Sequence, residues 1–434
     1  MEEKSEPLNK FEISQISNNN SKSKKPIIIG LLIIMLIIFL VLGILIFYLF
    51  AFIDSKTEET KEDENDKNNN YPEYIEISPL MFGATFSNIS YANNNKIKNS
   101  FKINGDNYKK ELGNINKGND YNETDRNTYT LYVPYSSIKN NDKYNGIILF
   151  IHGDLWTKGN KEYLTPLAEI YSQSGYVTAI MDYTLLTDNY KEYNIFRILD
   201  EISACIESIS QKLINEGLTQ DKLEIALGGY SAGAHLALLY SYSVKKTPLP
   251  IKFIIDISGP VTLEPKYWKK MSDDNETLNN IEPEEIIKAL NESKIIDAIE
   301  DDYFLLNLMN IFLGKKYSDE ELDTMMENKK IIENNEKYQE LLNNVKYAFP
   351  TEYSNNNTIP TLCIYGGNDT LIGVAQYAYL KSLSNKIENK LVLIYSKYSN
   401  HYVINFNTQN GIDAMREMHY QILNFAKLYF SYNL

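Results

Sequence analysis

One octapeptide concentrates more chemistry than any other part of the chain: GGYSAGAH, residues 228–235. Within it Gly229-Tyr230-Ser231-Ala232-Gly233 has the spacing G-x-S-x-G, and it lies between an apolar run at 223–230 and an Ala/Leu-rich stretch at 232–243. A serine hydroxyl is a weak nucleophile unless it is held out of the regular backbone beside a base. A sharp strand-to-helix turn supplies the first condition. Gly229 and Gly233 remove side chains that would strike neighbouring backbone at such a turn. The next helix points its positive end at developing negative charge. Ser231 is therefore the candidate nucleophile, and attack on an acyl carbon the candidate chemistry. The tetrahedral oxyanion that follows needs two backbone N–H donors. One should come from Ala232. The other should come from the loop in FIHGDLW, 150–156, at Gly153 or Asp154, where glycine lets the backbone approach closely.

The serine needs a base, and the chain has four histidines: His152, His235, His401 and His419. His152 belongs to the oxyanion loop. His235 sits one turn beyond Ser231 and would have to reach back past the elbow, so it reads as packing. His419 falls on one face of a terminal helix. His401 follows the last apolar strand in SKYSNHYV, and placement together with elimination makes it the base. Asp369, in YGGNDTLIG just past the strand at 360–366, is the acid expected to accept Nδ1–H from His401 and hold its tautomer. Glu388 and Asp301 are the other acids weighed, and neither has a strand-end context.

These residues need a frame. Strands are expected at 128–135, 146–153, 176–183, 223–230, 251–259, 360–367 and 390–397. Helices are expected at 162–173, 193–216, 232–243, 373–386 and 410–430. Apolar strands alternating with amphipathic helices must be covered on both faces, which predicts a mostly parallel, doubly wound α/β sheet. Ligands in such sheets bind beyond the carboxyl ends of the strands, where every candidate above lies. The alternation breaks between about 262 and 350, which reads as an inserted helical cap. Its apolar patch, YFLLNLMNIFL at 303–313, would pack the cap or line an acyl pocket.

The formal charge of -14 and the absence of a basic stripe argue against nucleic-acid binding. Cys205 and Cys363 read as buried thiols. Four scattered histidines and no clustered ligand pattern argue against a metal, and no cofactor is expected. Residues 1–26 are polar and read as a disordered cytoplasmic tail, and 27–53 carry no charge. As a helix, 27–53 would span about 40 Å, more than the roughly 30 Å of a hydrocarbon core, which predicts a transmembrane helix acting as an uncleaved signal-anchor. Lys22, Lys24 and Lys25 precede it, and Asp54, Glu58, Glu59, Glu62, Asp63, Glu64 and Asp66 lie in the region that follows it. The expected product is a single-pass membrane protein with a cytoplasmic N-terminus and a lumenal or extracellular catalytic domain. A charged linker at 54–74 would lead to the domain at 75–434. N-x-S/T triplets at Asn88, Asn122, Asn275, Asn291, Asn356 and Asn368 are consistent with a glycoprotein on that side.

HGDLW at 152–156, DYTLL at 182–186, GGYSAGAHLA at 228–237, DISGP at 256–260 and YGGNDTLIG at 365–373 together resemble the α/β-hydrolase superfamily. The order Ser231, Asp369, His401 is also that of this superfamily. The resemblance covers about 125–260 and 358–430. It is closest to the carboxylesterase branch with hormone-sensitive-lipase-like and feruloyl-esterase-like enzymes, and isoprenylcysteine methylesterases are similar relatives. It implies a serine carboxylic-ester hydrolase acting through an acyl-enzyme on a small-molecule or lipid ester. A non-catalytic binding protein of the same fold and a serine amidase or peptidase are the alternatives. The group's loop commonly reads H-G-G-x-W, and here Asp154 replaces the second glycine. A carboxylate beside an oxyanion would oppose charge build-up unless it turns to water.

Overall fold

The structure, a computed structural model, describes residues 76–77, 83–90, 126–134, 145–187, 194–271, 295–297, 299–356, 359–367, 369–383, 391–396, 399–401 and 409–430. The chain divides into two compact units, Met1–Pro72 and Glu73–Leu434, and all described residues belong to the second.

Thirteen strands are described: β1 (Glu76–Ile77), β2 (Gly83–Ser90), β3 (Thr128–Pro134), β4 (Ile147–Ile151), β5 (Val177–Met181), β6 (Ile225–Tyr230), β7 (Ile251–Ile257), β8 (Lys269–Met271), β9 (Ile295–Asp297), β10 (Met326–Glu327), β11 (Lys330–Ile331), β12 (Thr361–Gly366) and β13 (Leu391–Ser396). Nine of them form one sheet in the order β1-β2-β3-β5-β4-β6-β7-β12-β13. The run from β5 through β4, β6, β7 and β12 to β13 is parallel, and β1, β2 and β3 join antiparallel at one edge.

The central strand shows why this sequence makes this sheet. IILFI in β4 is buried at every position. Ile147, Leu149 and Ile151 enter the core on one face, and Ile148 and Phe150 enter the core on the other. That is the two-residue period of a strand covered on both sides. Each such side chain contributes about 1.5–3 kcal/mol on burial. The second face is covered by α1 (Thr165–Gln173) and α8 (Gln409–Tyr429), whose Leu167, Tyr171, Met418 and Ile422 share its core. The first is covered by α2 (Ile195–Asn215) and α3 (Ala232–Ser243). The side chain of Asn194 caps α2 by accepting from the N–H groups of Phe196 and Arg197 at 3.1 and 3.3 Å. Helix α3 is buried at all twelve positions, which suits its Ala/Leu-rich sequence without a polar stripe.

The expected break after β7 is a cap with α4 (Tyr303–Phe312), α5 (Asp319–Asp323) and α6 (Glu336–Val345). Two short antiparallel pairs, β8–β9 and β10–β11, accompany them. A capping box starts α5, with Ser318 and Glu321 each bonded to the other's backbone. The apolar patch at 303–313 turns Leu305, Leu306, Met309 and Phe312 into the same core as α2 and α3. Helix α7 (Ala375–Leu383) then follows β12.

The membrane expectation is corrected. Among the described residues no helix is long and apolar enough to cross a membrane. The two 21-residue helices carry charges along their length, including Arg197, Asp200, Glu201 and Lys212 in α2 and Asp413, Arg416, Glu417 and Lys427 in α8. The two most apolar helices, α4 and α3, have 10 and 12 residues and span only about 15 and 18 Å. Residues 27–53, where the transmembrane helix and signal-anchor were expected, lie outside the described residues. The membrane partner and the lumenal or extracellular location rested on that helix, and the described residues hold no span that would carry them.

Candidate active site

The order of β5, β4 and β6 reverses direction at β4, so the loops after β4 and β6 open side by side at the carboxyl edge of the sheet. Ser231 stands at that edge between β6 and α3, with φ 52° and ψ -117°. A residue bearing a Cβ adopts this region only where the surroundings enforce it. Here the Ser231 N–H donates to Ile257 O at 2.8 Å, and Ser231 O accepts from His235 N–H at 3.0 Å. Both flanking glycines are required by contact. A Cβ on Gly229 would lie 2.2 Å from the Gly233 carbonyl carbon, and one on Gly233 would lie 2.0 Å from Ile151 O. Ser231 is 5% exposed, so the elbow is covered more than an open strand end would be.

The loop after β4 meets the elbow directly. A Cβ on Gly153 would fall 2.6 Å from Tyr230 O and 3.2 Å from Ser231 Cβ. Ala232 is the first residue of α3, where a backbone N–H has no partner inside its own helix. Asp154, Leu155 and Trp156 all have left-handed backbones, at φ 81°, 56° and 61°. The Asp154 side chain is exposed, so the carboxylate that replaces the second glycine lies in water.

His152 is buried beneath this loop. Its ring stacks on Tyr183 with centroids 4.3 Å apart. Nδ1–H donates to Gly153 O at 2.8 Å, and Nε2 accepts from Arg126 Nη2 at 3.2 Å. Burial pushes its pKa down to about 4, which keeps the ring neutral. Arg126 and Lys161 both pair with Asp182, at 3.0 and 2.8 Å, and Arg126 Nη2 also reaches Gly159 O at 2.7 Å. The Tyr183 hydroxyl adds a bond to His152 O at 3.2 Å.

The candidate acid and the candidate base meet on the other side. His401 Nδ1 lies 2.8 Å from Asp369 Oδ2. The second oxygen, Oδ1, accepts the N–H groups of Leu371 and Ile372, both at 2.8 Å, and Asp369 is only 2% exposed. The carboxylate is thus aimed by its own turn before it meets the ring. The glycine pair of YGGND brings the two loops together. A Cβ on Gly366 would lie 2.3 Å from Ser399 O, and Gly367 N–H donates to Ser396 O at 2.8 Å. The histidine loop also touches the elbow, since the Tyr230 hydroxyl donates to His401 O at 2.6 Å.

The other histidines and acids have separate work. His419 Nδ1 bonds the Tyr171 hydroxyl at 2.8 Å, and burial lowers its pKa. His235 bonds Trp156 and the cap. Asp301 starts α4, accepting Tyr303 N–H at 3.0 Å. Glu388 lies outside the described residues, as does Asn368. Cys205 and Cys363 are free and buried.

Sequence reasoning missed a second buried carboxyl, Asp256 in β7, whose register partners are Gly229 of β6 and Cys363 of β12. Its Oδ1 accepts Gly259 N–H at 2.9 Å. The Tyr365 hydroxyl stands 2.6 Å from Gly259 O and 2.9 Å from Asp256 Oδ2. A phenol has one proton. If it donates to the carbonyl, which can only accept, the carboxyl must donate to the phenol oxygen. Burial independently pushes the Asp256 pKa up to about 7, favouring that neutral acid. The signal was present as an aspartate one residue from the carboxyl end of the apolar strand IKFIIDI.

Comparison with known proteins places the chain in a family. No curated protein sequence matches the chain. Solved structures resemble it at low identity. A truncated carbohydrate esterase from gut microbiota is 13% identical, with 81% of this chain and 99% of that chain covered and a TM-score of 0.50. An inhibited esterase B from Lactobacillus rhamnosis is 14% identical, covering 89% and 97% with a TM-score of 0.48. A butyrate-bound esterase from Thermogutta terrifontis is 14% identical, covering 77% and 96% with a TM-score of 0.45. A family model, BD-FAE, matches residues 131–383, more than half of the chain and the stretch from β3 through α7. The chain belongs to the BD-FAE family and carries the esterase-type fold of the α/β-hydrolase superfamily.

Proposed function

We propose that the chain is a serine carboxylic-ester hydrolase in which Ser231, His401 and Asp369 form the catalytic triad. The observation that carries this reading is the 2.8 Å bond between His401 Nδ1 and Asp369 Oδ2, in a loop tied to residue 230 of the elbow. A carboxylate only accepts, so Nδ1 carries the proton, and the neutral ring then has its lone pair on Nε2. That is the tautomer a base for Ser231 requires.

In the proposed reaction Nε2 of His401 takes the proton from Ser231 as Oγ attacks the ester carbonyl. Ala232 N–H and an N–H from Gly153 or Asp154 hold the oxyanion. The C–O bond to the alcohol breaks, and the alcohol leaves with the proton from His401. Water then loses a proton to the same ring, attacks the acyl-serine, and releases the acid as Ser231 recovers its hydrogen. Asp369 stays ionised and stabilises the imidazolium. The substrate is a small-molecule or lipid ester. The sequence motifs favour the carboxylesterase branch that holds hormone-sensitive-lipase-like and feruloyl-esterase-like enzymes. The catalytic domain is taken as 75–434 with its cap at about 262–350.

Covalent labelling by a fluorophosphonate probe tests the assignment. The full chain should be labelled once, and Ser231→Ala should lose all labelling with its thermal unfolding midpoint retained. Labelling that survives in Ser231→Ala contradicts the serine assignment. A folded wild type that neither labels nor cleaves any ester in a panel would favour a non-catalytic protein of this fold.

A further inference from the structure

Three consecutive residues with Cβ atoms, Asp154, Leu155 and Trp156, hold left-handed backbones in the loop that meets the elbow. Such a run persists only where its surroundings over-determine it. Its far end is fixed by Trp156, which is 1% exposed. Trp156 O accepts Leu186 N–H at 2.9 Å. The indole Nε1–H donates to His235 Nδ1 at 3.2 Å. Phe312, from the end of α4, meets the indole edge-on with centroids 4.8 Å apart, and its ring lies 5.5 Å from that of His235.

His235 has a second partner. Its Nε2 stands 2.8 Å from Ala348 O, on the segment that returns from the cap. An indole N–H only donates and a carbonyl only accepts. Both contacts are satisfied only by the neutral ring with its proton on Nε2. Burial, which lowers the His235 pKa to about 4, favours the same form. The ring is carried on α3, whose first residue is Ala232.

We propose that His235 is a positioning residue, a strut that fixes the oxyanion loop through Trp156 and sets it in register with the cap through Ala348. The inference rests on the esterase reading given above and deepens it. The two oxyanion donors come from different elements, Ala232 from α3 and Gly153 or Asp154 from the loop after β4. Their separation must fit one oxygen atom, and donors displaced by a fraction of an ångström lose most of their effect. His235 joins those two elements through one side chain. Because the donors act on charge that develops in the transition state, loosening the strut lowers kcat while leaving substrate binding nearly intact.

Four variants of the full chain test this. His235→Leu removes both bonds. His235→Asn keeps an acceptor near Nδ1, and His235→Gln keeps a donor near Nε2. Trp156→Phe removes the indole N–H. His235→Leu and Trp156→Phe should each lower kcat about 10- to 100-fold with KM held within about threefold. The double variant should be no slower than the worse single one. His235→Asn should recover most of the rate, and His235→Gln little of it. If His235→Leu does not fold, Trp156→Phe against wild type still decides the kcat effect.

A second readout does not depend on turnover. With 15N-labelled tryptophan, the Trp156 indole N–H resonance should move in His235→Leu. That of Trp268, bonded to Thr262 O at 2.8 Å, should stay as a reference. Wild-type kcat in His235→Leu and Trp156→Phe, equal rates in the Asn and Gln variants, or an unmoved Trp156 resonance would overturn the strut. A wild type without esterase activity whose Trp156 resonance responds as expected would support the strut and defeat the esterase reading instead.

Discussion

The two halves of the candidate site are built by different means. On the nucleophile side the backbone does the positioning. Gly153, Gly229 and Gly233 let β4, β6 and α3 approach so closely that a single Cβ would overlap backbone atoms, and Ser231 is forced into its unusual φ and ψ by that frame. On the acid–base side, side-chain bonds do most of it, added to one close backbone approach at Gly366. Asp369 is aimed by Leu371 and Ile372, and His401 by Asp369. The strands beneath differ accordingly. β6 is buried throughout, whereas β13 is half-exposed along most of its length. The first half should therefore tolerate no added atom, and the second should yield locally without unfolding the sheet.

Matched glycine substitutions break that comparison most severely. Gly233→Ala drives a Cβ to 2.0 Å from Ile151 O in the middle of the sheet. It should destabilise the domain by about 3 kcal/mol or more, read as a lowered denaturant midpoint. Gly366→Ala drives a Cβ to 2.3 Å from Ser399 O, in a loop that can shift. It should abolish most esterase activity while the midpoint falls by about 1–2 kcal/mol. Equal stability losses in the two variants would show that the halves are not built differently.

Asp256 sharpens the comparison, because it lies between the strands of the two halves, with Gly229 on one side and Cys363 on the other. Its folded pKa is raised from 3.8 to about 7. Between those values the native state holds a proton that the unfolded chain has released. Its contribution is complete below about 4 and is lost as pH rises through about 7, an effect of a few kcal/mol at most. The groups facing it, Tyr365 and Cys363, are themselves pushed upward by burial and stay neutral across that window. Unfolding free energy measured from pH 4 to 8 should show this decline, and Asp256→Asn should flatten it. An unchanged slope in Asp256→Asn would place the titration elsewhere.

How much of this was legible in the sequence follows the same division. Backbone-driven features write themselves into residue type. At the glycines around Ser231 and at Gly366 a Cβ would strike backbone, so the elbow and the acid loop could be read directly. The main-sheet strands from β3 onward were legible as apolar runs, whereas the short cap strands β8 to β11 were not expected. The edge strands β1 and β2 were not anticipated. GATFSNIS in β2 mixes small and polar residues, and its assignment comes from pairing with β3. Side-chain networks were harder. The Trp156–His235 bond joins residues 79 apart, and no local pattern announces it. Asp182 and Tyr183 were visible only as part of a motif, without the Arg126 and Lys161 contacts that explain them. The membrane expectation arose from residues 27–53, which lie outside the described residues.

The smallest expected effect concerns Asp154, where the nucleophile half departs from its own rule by using a residue with a Cβ at φ 81°. Asp154→Gly should relieve roughly 1 kcal/mol of backbone strain and remove a carboxylate from the neighbourhood of the oxyanion. A slightly higher unfolding midpoint and an equal or higher kcat are expected. A fall in both would mean that the exposed carboxylate has a structural partner in the working enzyme.

The central claim is that Ser231 carries the acyl group. Rapid quenching of the full chain with a short-chain activated ester, followed by peptide mass mapping, addresses it most directly. The account predicts a transient adduct of acyl mass on the peptide containing Ser231, absent in Ser231→Ala and long-lived when His401 is replaced by Ala and the adduct is formed with excess ester. Turnover of the same ester with no adduct on that peptide, or with an adduct on another residue, would contradict it.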